Sequence, residues 1–147
     1  MRHVSRFVGP NESPGFLLWR VASEWQRRQG EALEPLGLTH VQFVLLAGVA
    51  WFTQGGHALT QAQLARHTHM DEMMTSQVVR VLEQRKLIVR TAHPRDQRAR
   101  SLSLTKVGAK LLKAALPIVE NTDVAFFKAA HDEQPAMLKG FRQLLAG

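Results

Sequence analysis

Cysteine is absent from the 147 residues, which excludes disulfides, thiolate metal sites and thiol redox switching together. No apolar run approaches the roughly 18 residues that a membrane span needs. The basic start Met1-Arg2-His3-Val4-Ser5-Arg6 is not followed by an apolar stretch of secretory-signal length. A cytoplasmic location, with no membrane partner, is the expectation. Nucleophile elbow, glycine-rich phosphate loop and paired catalytic carboxylates are missing too. Ser, His and Asp do occur, but loose residues make no site without geometry, so no enzyme is expected. The histidines include His67 and His69, two apart, and His57 in a loop, a pattern that puts no two imidazoles on one helical face at i, i+4. No metal and no cofactor are expected.

What is present is basic and concentrated. Of 19 Lys and Arg and 12 acids, the stretch from Gln77 to Lys113 holds ten cations and two acids, so it carries +8 against −1 for the rest. A face that is merely solvated accounts for basicity in general. Clustering points elsewhere, because neutralising several neighbouring phosphates releases condensed counterions. Length and a 45% hydrophobic content fit one domain with a real core.

Helical spacing runs nearly throughout. Leu18, Trp19, Ala22, Trp25 and Leu33 mark a first helix that Pro35 and Gly37 close. Thr39 is a natural cap for a second helix, apolar nearly all round, through Phe43, Val44, Leu46, Ala47, Ala50 and Trp51. Thr60 caps a short helix, Gln61 to His67. A turn at His69 to Glu72 leads into a further helix, Met73 to Gln84, in which Val78, Val81 and Leu82 are expected inside and Thr75, Ser76, Gln77 and Arg80 outside. Such a pair is a helix-turn-helix.

A hairpin follows at once. Leu87 to Thr91 and Arg100 to Leu104 read as strands in which Ile88 or Val89, with Leu102 and Leu104, face the domain. Arg95, Arg98 and Arg100 crowd the turn between them, and Asp96 reads as an internal brace paired with one of these arginines. Thr105 caps a helix through Val107, Leu111, Leu112, Ala115 and Leu116 that continues or kinks at Pro117. A last helix carries Met137, Leu138, Phe141, Leu144 and Leu145.

Leu36-Gly37-Leu38-Thr39 with Gln42-Phe43, Leu59-Thr60 with Leu64-Ala65, Leu82 to Ile88, Asp96-Gln97-Arg98 and Leu104 to Gly108 resemble, in order and spacing, the landmarks of the MarR transcription regulators over residues 14 to 130. The resemblance implies a mainly α fold: a winged helix-turn-helix with a two-stranded β wing, and long terminal helices forming a dimerisation region. It implies dimerisation helices at 14–36 and 107–147 around a DNA-binding lobe at 39–105. By position, Thr75, Ser76, Gln77 and Arg80 lie nearest the bases in the major groove. The resemblance implies that Arg98 enters the minor groove while Asp96 holds the wing loop; Arg95 and Arg100, at or near the wing tip, are expected to bind DNA as well. Ser103, Thr60, Arg85 and Lys106 at most touch phosphates. Lys86 stands where the family commonly has a glycine before the wing, so a turn that often needs positive φ falls on a residue that disfavours it. Gln77 stands where many members carry arginine.

Trp19 and Trp25 lie six apart, too far round the helix for one narrow stripe. Two buried faces, and hence a two-fold homodimer on a pseudo-palindromic site, are expected. The resemblance also implies a cleft for a small aromatic or phenolic effector, lined by position by Phe16, Trp19, Arg20, Phe43, Ala47 and Leu111, with Arg20 able to meet a carboxylate. Plain core is the other reading of that stripe. A ligand-responsive repressor of double-stranded DNA is the expected function; the alternative is an architectural or protein-docking winged-helix module.

Overall fold

The computed structural model describes residues 4–147; Met1-Arg2-His3, part of the basic start, lie outside the described residues. Six helices and one hairpin follow in the order α1 (Pro14–Leu33), α2 (His40–Gln54), α3 (Gln61–Thr68), α4 (Glu72–Gln84), β1 (Ile88–Ala92), β2 (Arg100–Leu104), α5 (Lys106–Phe127) and α6 (Gln134–Ala146). Short 3₁₀ turns precede α1 and α6 and join α1 to α2.

Side-chain caps set most of the helix starts. Thr39 and Thr60 each form a reciprocal capping box, with Gln42 and Gln63 respectively, which satisfies amides that the first turn leaves without partners. Ser13, Asp71 and Thr105 cap α1, α4 and α5 through single side-chain acceptors. Gly37 closes the turn after α1 at φ 66°, a conformation glycine adopts without penalty. Pro117 sits inside α5, and the helix runs on through it.

Around α2 the core closes. Leu45, Leu46 and Val49 meet Leu64 of α3, Val79 and Leu82 of α4, Leu102 of β2 and Ala115 of α5, all without solvent exposure. On α4 the inward residues are Thr75, Val79 and Leu82. The expected inward Val81 is exposed instead, and Val78 is only partly buried. Residues 75, 79 and 82 lie four and three apart and share one narrow face; 78, 81 and 82 share an adjacent one, and the packing selects the first.

The wing is antiparallel, with Ile88 opposite Leu104 and Arg90 opposite Leu102. Ile88 is buried and Val89 exposed, which resolves which of the two faces the domain. Leu59 adds a partial third rung: its carbonyl accepts from Leu102 N–H at 2.7 Å and its own N–H donates to Ser101 Oγ at 3.2 Å. Two special positions set the wing's entry. Lys86 does take positive φ, 59°, at a cost of about 1–2 kcal/mol for a residue with a Cβ. Gly108 lies so close to Leu87, the residue before β1, that an added Cβ would sit 2.0 Å from its carbonyl oxygen, so no larger residue fits there.

Candidate nucleic-acid interface

With Thr75, Val79 and Leu82 turned inward, the opposite side of α4 is fixed by geometry. Met73, Gln77, Arg80 and Gln84, spaced four, three and four apart, form one exposed stripe. Ser76 lies on its flank, half-buried. Thr75 is a correction to the expected base-facing set. It is fully buried, and its hydroxyl donates to the Asp71 carbonyl at 2.8 Å, so it holds the start of α4 and cannot reach a base. The 75/79/82 spacing marks one of two inward faces that the sequence offers.

In the wing the second correction concerns Asp96. Its Oδ1 accepts the Arg98 backbone N–H at 3.0 Å, and among the described residues it pairs with no guanidinium. His93 organises the same turn, its Nδ1 accepting the N–H groups of Arg95 and Asp96 at 3.1 Å each. Backbone bonds therefore shape the loop, and the exposed side chains of Arg95, Arg98 and Arg100 have no carboxylate partner among the described residues. Three uncompensated cations at one tip repel one another unless anions approach.

Other cations of the basic stretch are spent internally. Arg90 donates to Glu83 Oε1 at 2.7 Å and Gln61 Oε1 at 2.8 Å, which ties β1 to both α4 and α3. Arg85 donates to the Gly37 carbonyl at 2.8 Å and Gln42 Oε1 at 3.0 Å, which anchors the end of α4 to the turn before α2. Wing and helix are thus held at a fixed relative angle, with the unpaired arginines outermost. Sequence reading missed Arg90 and took Arg85 for a phosphate contact, because the bonds to Gln61, Gly37 and Gln42 join residues far apart in the chain.

Comparison with known proteins agrees with this geometry. Residues 36–99 match the sequence profile of the MarR family. The chain is 48% identical over 145 residues, 99% of its length and 98% of the other's, to the uncharacterized HTH-type transcriptional regulator YdcH of Bacillus subtilis. The chain belongs to the MarR family of transcription regulators. It is also 33% identical over 109 residues, 74% of this chain and 76% of the other, to the HTH-type transcriptional repressor Rv2887 of Mycobacterium tuberculosis. In fold it superposes on MepR of S. aureus from a MepR–DNA complex, with a TM-score of 0.80, 24% identity and coverage of 91% and 97% of the two chains.

In this MarR-family chain the six residues expected to line an effector cleft are divided within the protomer. Phe43 and Ala47 line a cavity of about 540 Å³ between α2, α3 and α5, with Trp51, His67, Leu112 and Leu116 also on its walls. Leu111 is next to it in sequence and packs on the core, but does not line that cavity. Trp19 and Arg20 line a separate cavity with Glu24, Arg27 and Phe126. Arg20 sits 5.8 Å from the Phe16 ring and reaches Asn11 Oδ1 at 3.4 Å. The Glu24 carboxyl nearby is held down at about 2 by hydrogen bonds from Arg27 and Arg28, so the surroundings of Arg20 already contain a fixed negative charge.

One partly buried polar cluster went unseen in the sequence. Asp123 of α5 accepts from Trp25 Nε1 at 2.7 Å and from Gln29 Nε2 at 2.8 Å, and the fully buried Gln29 also donates to the Val119 carbonyl. The His40 ring meets Trp25 edge-on at 4.8 Å. Burial lowers the His40 pKa below its ordinary 6.5, and the Asp123 charge opposes that shift. This cluster joins α1 and α5 to the first residue of α2. No single helix of the described chain is long and apolar enough to cross a membrane.

Proposed function

We propose that the chain is a sequence-specific repressor that works in the cytoplasm as a homodimer on a pseudo-palindromic operator. Residues 39–105 bind DNA and residues 14–36 and 107–147 dimerise. The observation that carries this reading is the outward stripe of Gln77 and Arg80 beside a wing whose Arg95, Arg98 and Arg100 lack carboxylate partners among the described residues. Gln and Arg on such a stripe suit paired hydrogen bonds to purine edges in the major groove. An arginine-tipped wing suits the narrow, electronegative minor groove beside it. A two-fold body sets two such helices about one DNA turn apart.

The terminal helices support the homodimer. Trp19 is 72% exposed, and Leu18, Phe141, Leu144 and Leu145 are exposed with it. No residue of α6 is buried in the protomer. An apolar surface of this kind marks an interface. The α2–α5 cavity, walled by Phe43, Ala47 and Leu116, has the size and apolar character of a site for a small aromatic or phenolic effector.

Selection from a pool of random duplexes tests the reading. A single two-fold-symmetric consensus is the expected outcome, with release of bound duplex by at least one member of a panel of aromatic acids. Equal retention of all sequences, sensitive only to ionic strength, would favour the architectural alternative.

A further inference from the structure

On the DNA-facing stripe of α4 one residue does not match its neighbours in chemistry. Gln77, Arg80 and Gln84 are hydrogen-bonding side chains, whereas Met73, on the same line, is an apolar thioether that is 72% exposed. Nothing within the protomer covers it. It stands in the first turn of the helix, just after the cap in which Asp71 Oδ2 accepts from Met74 N–H at 3.0 Å. The first turn is the part of a recognition helix that meets base edges in helix-turn-helix docking.

Of the groups a duplex presents in the major groove, only the C5 methyl of thymine offers an apolar contact, and an unbranched, polarisable side chain adapts well to it. We propose that Met73 is a specificity-determining residue that reads the methyl group of a thymine in each half-site. Seven residues along α4 separate Met73 from Arg80, about 10 Å at 1.5 Å per residue. That separation along the groove places the thymine at a different base pair from the purine that Arg80 contacts. The inference rests on the proposed placement of α4 in the major groove.

Deoxyuridine provides the test, since it pairs as thymine does and lacks only the methyl group. The operator obtained by selection is scanned with single dT-to-dU replacements. Burying one methyl-sized group contributes about 0.8 kcal/mol, so replacement in a single half-site should weaken wild-type binding about fourfold, and replacement in both half-sites about 15-fold. Met73→Ala should bind the dT and dU duplexes equally at that position, while Met73→Leu should keep the preference. An exposed site makes unfolding of either variant a minor concern, and circular dichroism checks it. A scan in which wild type is indifferent at every thymine overturns the inference, as does Met73→Ala remaining equally sensitive. If Gln77→Ala still flattens discrimination while the scan is flat, the placement of α4 stands and only the role of Met73 falls. If selection yields no consensus, both fall.

Discussion

The central lobe and the terminal helices are built from similar residues and end in opposite states. From Leu38 to Leu104 the large apolar side chains that meet at α2 are closed off from solvent: Leu45, Leu46, Leu59, Leu64, Leu82 and Leu102 are fully buried. Along the first turns of α1 and along α6 the same residue types lie open: Leu18 is 58% exposed and Leu144 75%. The core of the lobe closes within one chain, whereas the ends leave apolar surface open, the surface that the proposed homodimer would cover. Within the lobe a similar division separates the arginines. Arg85 and Arg90 are bound to carbonyl, amide and carboxylate oxygens, while Arg80, Arg95, Arg98 and Arg100 are not in ion pairs among the described residues.

Charging the open ends should have the largest effect. Phe141→Asp with Leu144→Asp alters only exposed positions, so each protomer should still fold and sediment as a 16.5 kDa species at micromolar concentration. Operator affinity should fall about 10²- to 10⁴-fold as the second binding event ceases to be intramolecular. A dimer surviving this change would place the two-fold contact elsewhere. The closed lobe should respond differently: Leu64→Ala is expected to cost about 2–5 kcal/mol of unfolding free energy, read by denaturant titration, without changing the two-fold contact.

The two classes of arginine give a smaller contrast. Arg98→Ala should lower the slope of log affinity against log salt by about one unit and leave stability unchanged. Arg90→Ala should reduce stability by about 1–2 kcal/mol, because it strips a charge-assisted bond from half-buried Glu83. Reversed outcomes would show that the partition of cations is wrong. The smallest effect belongs to His40. Its folded pKa lies below the unfolded 6.5, so the unfolded chain takes up the proton first on acidification. Stability should therefore be full above about pH 6.5 and decline as pH falls from there through the lowered folded value. His40→Gln should flatten that part of a stability profile measured between pH 7.5 and 5.

Much of this was visible in one dimension. Thr39, Thr60 and Thr105 announce helix starts through local hydrogen bonds, and Lys86 announces a strained turn by standing where positive φ is required. The wing arginines are legible because three cations within six positions have no room to disperse. Thr75 was misplaced because the run Val78-Val79-Val81-Leu82 offers two competing inward faces, and local spacing does not choose between them. Asp96 does brace the wing, but its partner was misread for a related reason: a carboxylate among arginines suggests an ion pair, while the tight turn brings the Arg98 backbone amide closer.

The order of chain elements, their caps and the concentration of positive charge were settled by the sequence itself, since each depends on neighbours a few residues apart. Tertiary packing alone decided which face of α4 turns outward, which arginines are tied down and where Asp123, Trp25 and Gln29 meet. Those outcomes depend on contacts between residues tens of positions apart. Whether a side chain is buried, paired or free is then set by the elements that fold against it.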